Sequence, residues 1–413
     1  MKRLSFTLFR AMLCLCVASL PLMRVAAQTM KVYTGQVCTV YPASLTGEMP
    51  FSQNGDLLTI HGKAFSTSQV DSIIVDRSAC PSSQVDVRYA GAKAWVTVAG
   101  NVAALLNVSV EGAHVSVLQD AALATEVTYS LSGQSTQGSF AMDGEYKATL
   151  LLNGLTLSNT DRAAIDIANG KRIAVKLPAG TTTTLSDGAT GLQKACFFIN
   201  GHAEFEGSGQ LVLTGNARHA YASDEYTSFS TDFGSLTVNA AKNDGLHIGQ
   251  YLDLRGGTFI VKGTGGDCFD IEKTKDPTDE DNGFVRISGG SLDLSVTTDD
   301  TKGLKNDSLF YITGGIVKAN VAGNGCKGIS AGWDMFINDT SGSAPSIEMT
   351  VSGTTYMPGD ELLESKCRGI KGKHNLTFNG GTIRMTVTGN KAKGISLDGS
   401  WIYVKGSTNV LPS

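Results

Sequence analysis

Six residues, Asp244, Asp267, Lys302, Lys327, Arg368 and Lys393, each stand directly before a small residue that is followed by an apolar one, as in GCKGISAG, CRGIKGKH, AKGISLDG and NDGLHIGQ. If the chain stacks these copies, the side chains form a column with a carboxylate end and a cationic end. Clustered carboxylates take up a hard cation, and oxygen-only ligands select calcium. A row of ammonium and guanidinium groups matches a polyanion. At a strand spacing of about 4.8 Å, two like charges in water repel by roughly 0.9 kcal/mol, so a column of this kind requires counterions. The candidate metal ligands are Asp244 and Asp267 with Asp270 and Glu272 beside them, joined by Asp276, Asp279, Glu280 and Asp281 of the KTKDPTDEDNG stretch. The candidate ligand-binding cations are Lys302, Lys327, Arg368 and Lys393, with Lys305 and Lys371 three residues on.

The element that positions them is a repeat. The six residues are separated by 23, 35, 25, 41 and 25 residues, and weaker copies extend the column N-terminally with Ala163, Ala195 and His219 in the same slot. Glycine pairs at 256–257, 289–290, 314–315 and 380–381 keep the same pitch and are followed by alternating stretches such as TFIVKG, SLDLSV and TIRMTV. A period near 25 with two-residue alternation and glycine punctuation predicts stacked strands, one repeat per turn. The expected fold is all-β: a right-handed parallel β-helix, or solenoid, over residues 91–413, with a small β-rich cap over 28–90. A propeller or sandwich is the alternative, but its shorter strand spacing lacks one fixed column. Leu246, Phe269, Leu304, Ile329, Ile370 and Ile395 form the inward apolar ladder. The glycines of the column, Gly245, Gly303, Gly328, Gly369 and Gly394, are expected to adopt a bent or left-handed conformation that swings the charge outward.

A blander arrangement competes with an open strip. Asp299 and Asp300 before Lys302, and Glu361 and Glu364 before Arg368, can neutralise it internally, whereas Asn324 and Asn390 stand at that offset before Lys327 and Lys393. The long spacings place insertions at about 274–284 and 354–366, expected as walls of a groove.

The chain of 413 residues has 48 glycines and 9 prolines, which excludes collagen-like and disordered classes. Residues 1–27 combine a basic start, an apolar run and a Val-Ala-Ala site, the pattern of a signal peptide cleaved near Ala27. The expected location is therefore secreted, periplasmic or cell-surface. No later stretch is apolar enough to span a bilayer, so no membrane insertion is expected. Without the leader, 30 basic residues face 38 acidic ones, a net charge of −8 that argues against nucleic acid. A monomer is expected.

Six cysteines remain after residue 27, at spacings that match no zinc motif. Cys326 and Cys367 share a slot on adjacent repeats and Cys38 and Cys80 lie in the cap region, so either pair can be a disulfide or free; Cys196 and Cys268 are too many repeats apart to pair and are expected as buried thiols. Trp333, near the column, is the aromatic candidate for stacking on a sugar ring. The six histidines are scattered, and His219 and His247 are expected as surface turn residues.

The stretch ATLLLNGLTLSNTDRAAIDIANGKRIAVKLPAGTTTTLSDG (residues 148–188), followed by the Gly-Gly-Thr repeats, resembles a family of secreted bacterial carbohydrate-binding proteins. The resemblance covers roughly residues 140–405. It implies a calcium-binding parallel β-helix akin to pectate lyases that binds acidic, uronate-rich plant polysaccharide. Asp244 and Asp267 match the family's acidic slot, while the later four copies carry Lys or Arg. Two alternatives stay open. A calcium-dependent pectate-type lyase would use Lys302 or Lys327 as base beside the cation; a surface adhesin or scaffold would bind no glycan.

Overall fold

Alternation sets the strands. In Ser291–Val296, Leu292, Leu294 and Val296 are buried while Asp293 is exposed, as one face of a pleated strand requires. The computed structural model describes residues 28–339, 343–359 and 364–412; the signal-peptide segment 1–27 lies outside the described residues. The protein is all-β, with only short helical turns.

From residue 139 each repeat contributes strands to three parallel tracks. The track that carries the charged column is a 12-stranded sheet running from Leu106–Glu111 to Lys393–Leu397. The second includes Ile173–Lys176, Ala203–Glu206, Thr227–Phe229, Tyr251–Leu254 and Phe284–Ile287; the third includes Thr182–Ser186, Gln210–Gly215, Ser235–Ala241, Thr258–Val261 and Ser291–Val296. Between them lies one continuous apolar core that includes Phe197, Phe205, Leu246, Phe269, Leu304, Ile329 and Ile370, all buried; Ile395 packs against its end.

The sheets are mixed. Thr29–Thr34 pairs antiparallel with Val37–Pro42 and Ser72–Asp76, and Leu57–Ile60 pairs antiparallel with Phe51–Ser52 and Lys63–Ser66. These segments close a separate small core of Met30, Val32, Tyr41, Leu58, Ile60 and Phe65. Gln84–Ala90 pairs in parallel with Val127–Ser135, and its Val85, Val87 and Tyr89 join the main core. That strand therefore packs with the repeats and not with the segments before it.

The column glycines differ from expectation. Among the described residues none of Gly245, Gly303, Gly328, Gly369 and Gly394 has a positive φ. Their requirement is space: a Cβ on Gly303 would stand 2.5 Å from the Gly328 carbonyl oxygen, and one on Gly369 would stand 2.6 Å from both the Gly394 oxygen and Met385 Sδ. Gly303 and Leu304 are both buried in succession, so alternation does break here, and the preceding charge is left facing outward. The glycine pairs of the third track do supply left-handed residues, with φ +79° at Gly290 and +78° at Gly315, each against the glycine carbonyl of the preceding repeat.

All six cysteines after the leader are free. Cys326 and Cys367 are buried among backbone carbonyls, Cys326 Sγ donating to Thr298 O at 2.9 Å, and Cys196 and Cys268 are buried thiols as expected.

Candidate functional site

The strand pairing lines up the charged residues in order: Lys302 opposite Lys327, Lys327 opposite Arg368, and Arg368 opposite Lys393. A second outward column lies beside it, in the order His247, Asp270, Lys305, Ser330, Lys371 and Ser396. The two columns share one face, acidic and imidazole-rich at one end and cationic at the other.

At the acidic end the column is knitted to the backbone. Asp244 Oδ1 accepts the Asp267 N–H at 2.7 Å, and Asp267 Oδ1 accepts the Lys302 N–H at 2.7 Å. A lysine offers no acceptor, so beyond Lys302 the linkage passes to main-chain carbonyls: Lys327 N donates to Thr301 O, Arg368 N to Cys326 O and Lys393 N to Cys367 O. This role draws Asp244 and Asp267 inward, and both are buried, as is Asp270 beside them. Burial pushes the Asp267 carboxyl up to about 6. Burial acts the same way on Asp244, but the imidazoles of His219 and His247 overcome it and hold that carboxyl well below the usual carboxylate range.

Those two histidines are the residues the sequence reasoning misplaced. His219 is 2% exposed and His247 half-buried. Their rings stack with centroids 4.5 Å apart and planes inclined by 24°. His219 Nδ1 lies 3.1 Å and His247 Nδ1 3.5 Å from Asp244 Oδ2, and His247 Nδ1 lies 3.5 Å from Asp270 Oδ2. Burial lowers the His219 pKa; for His247 burial acts the same way, but Asp244 and Asp270 outweigh it and raise the ring to about 9. The signal was present in the sequence: His219 stands in the column slot itself, in register with Ala195 on the preceding repeat and next in order to Asp244.

The expected calcium ligands were tested against this geometry. Asp244, Asp267 and Asp270 bring carboxylate oxygens within 4.8 Å of one another. Yet one oxygen of each of Asp244 and Asp267 is occupied by a backbone N–H, Lys305 Nζ stands 2.8 Å from Asp270 Oδ1 and 3.4 Å from Glu272 Oε1, and two imidazole nitrogens enter the cluster. Calcium takes six to eight oxygens; this mixed set, with a lysine cation inside it, fits that shell poorly. The acids of the 274–284 insertion do not join the cluster. Asp276 closes its own turn on Thr278, Asp279 bonds Thr274, and Asp281 pairs with Arg286.

At the cationic end the internal neutralisation is substantial. Lys327 Nζ lies 3.0 Å from Asp300 Oδ1 and donates to Ser365 Oγ at 2.7 Å. The acid comes from the preceding repeat and the hydroxyl from the second insertion, so the Asn324 offset did not leave Lys327 free. Lys302 donates to Asp300 O at 2.7 Å and lies 4.0 Å from Asp267; Lys305 pairs with Asp270 and Lys371 with Asp398. Arg368, expected as a ligand-binding cation, is 8% exposed, and its Nη1 donates to the carbonyls of Cys367 and Lys391; it holds two repeats together instead of facing solvent. Glu361 lies outside the described residues, and Glu364 pairs with Lys366 and Lys391. Lys393 is exposed and has no carboxylate partner among the described residues. Lys373, which the spacing did not single out, is exposed in the bend just past Arg368–Gly372. Trp333 is 52% exposed and stacks on His374, centroids 4.4 Å apart and planes within 9°.

An all-β chain that carries this face over its repeats matches the family described as carbohydrate-binding domain-containing protein over residues 113–410, most of its length. The protein belongs to that family. A relative of the same description from Acetivibrio thermocellus is 30% identical over 138 residues, which span 32% of this chain and 42% of the relative. A solved polysaccharide lyase-like protein from C. thermocellum, studied as a gadolinium derivative, superposes with a TM-score of 0.48 at 17% identity, over 79% of this chain and all of that one.

Proposed function

We propose that the protein is an exported, monomeric carbohydrate-binding protein that takes an acidic, uronate-rich polysaccharide along the cationic end of its charged face. In this reading the three parallel tracks are the faces of a right-handed parallel β-helix, capped by the antiparallel N-terminal segments. The observation that carries it is Lys393, exposed at the cationic end of the column and without a carboxylate partner among the described residues, with Lys371 and Lys373 nearby. Family membership supports a glycan as partner; the choice of an acidic one comes from the lysines. The Lys371–Asp398 pair is partly exposed, and such pairs contribute only ~0–1 kcal/mol, so a sugar carboxylate can displace the aspartate. Trp333, half exposed and held by the His374 ring stacked on one of its faces, is the aromatic candidate for packing on a sugar ring. Lys302, Lys305 and Lys327 organise the face through their acidic partners.

Calcium has no step in this reading. The test is retention of the chain on polygalacturonate against a neutral glucan, with and without a calcium chelator, while unsaturated product is followed. Retention on polygalacturonate alone, insensitive to chelator and without product, is the expected result. Chelator-sensitive product makes the protein a lyase, and retention on neither polymer favours a scaffold.

A further inference from the structure

We propose that His219, Asp244 and His247 form a binding site for a first-row transition-metal dication of the zinc type. This stands apart from the glycan reading and does not depend on it. Three observations carry it. One nitrogen of each ring and one Asp244 oxygen fall within 4.8 Å of one another. The separations, 3.1 Å from His219 Nδ1 to Asp244 Oδ2 and 3.5 Å from His247 Nδ1 to the same oxygen, match the edge of a tetrahedron of donors at zinc bonding distance, about 3.3 Å for bonds of ~2.0–2.1 Å. Neither Nδ1 makes a hydrogen bond, although both are buried and His219 is 98% enclosed by the protein. Buried polar atoms are normally satisfied. Both nitrogens lie beside one carboxylate oxygen without donating to it, a placement that a shared metal, reached by a small rotation of the stacked rings, accounts for.

The alternative occupant of the space is a proton shared along an ordinary His–Asp hydrogen bond, and the missing alignment argues against it. Two imidazoles and a carboxylate select zinc, nickel, cobalt or copper over calcium or magnesium. Asp270 Oδ2, 3.5 Å from His247 Nδ1, is the protein group in reach of a fourth position. The carboxylate of Asp244 is itself fixed, since its other oxygen accepts the Asp267 N–H, which is the support a metal ligand needs.

The experiment is titration of the chelator-treated full chain with zinc chloride and with calcium chloride by calorimetry, together with the visible absorption of the cobalt(II) form. One zinc per chain is expected, bound at least 100-fold more tightly than calcium, with a cobalt spectrum of tetrahedral type. His247→Ala and His219→Ala are each expected to weaken zinc at least 100-fold and abolish the cobalt bands, whereas Glu272→Gln stays within tenfold. Should His219→Ala fail to fold by circular dichroism, His247→Ala decides, since that ring is only half-buried. No zinc binding, calcium binding as tight as zinc, or unchanged zinc affinity in His247→Ala would overturn the proposal. Polygalacturonate retention measured on the same samples reports the glycan reading separately: a chain that binds zinc but no polysaccharide keeps this inference and loses the other.

Discussion

The two ends of the charged face use one backbone slot for opposite purposes. At Asp244 and Asp267 the charge is drawn inward, accepts the next repeat's N–H and is buried. At Lys302, Lys327 and Lys393 it cannot accept, so the main chain bonds to itself; the side chains of Lys302 and Lys327 stay half-buried and that of Lys393 is exposed. A carboxylate in this slot is structural first; a lysine is either held by an acid, as Lys327 is by Asp300, or left exposed, as Lys393 is.

That contrast can be broken by mutation. Asp244→Ala strands a buried N–H and removes the counter-charge of His247, and is expected to destabilise by about 3 kcal/mol in denaturant unfolding. Lys393→Ala, in the equivalent slot, is expected to stay within ~0.5 kcal/mol. Equal effects would mean that the two ends do not differ. A smaller effect is pH-dependent. The Asp267 carboxyl is pushed up to about 6 by burial, so the folded chain holds that proton more tightly than the unfolded chain does. Its contribution is greatest below about 4, the ordinary value, and is lost as pH rises through 6. Asp267→Asn keeps the acceptor for Lys302 N–H and cannot ionise. Its stability relative to the parent is expected to increase by about 2 kcal/mol between pH 4 and pH 8; a flat difference would refute the burial argument. Smaller again, Lys327→Met is expected to cost about 1 kcal/mol through the lost Asp300 and Ser365 contacts and to leave polysaccharide retention unchanged, which separates the lysine that organises the face from those that serve it.

The column could be read from the sequence because strand stacking converts a 25-residue period directly into register, and Lys327 opposite Arg368 survives even the 41-residue spacing. The fate of each charge could not. It depends on groups that the period does not position: Asp300 reaching forward to Lys327, Ser365 arriving from an insertion, and carbonyls turned toward Arg368. The column glycines were legible as necessary but for another reason, since what they avoid is the next repeat's carbonyl and not a forbidden φ. His219 was visible as a titratable residue in the column slot next to Asp244, yet only the fold reveals that the ring of His247, 28 residues on, covers it.

The central claim concerns the exposed lysines, and the most direct measurement is calorimetric titration of the full chain and a Lys371→Gln, Lys373→Gln, Lys393→Gln variant with a polygalacturonate oligomer and a neutral oligomer of equal length. The parent is expected to bind the acidic oligomer alone, more weakly as salt rises, and the variant to lose at least tenfold in affinity with its thermal unfolding unchanged. Equal affinity of parent and variant for the acidic oligomer, or a preference of the parent for the neutral one, would contradict it.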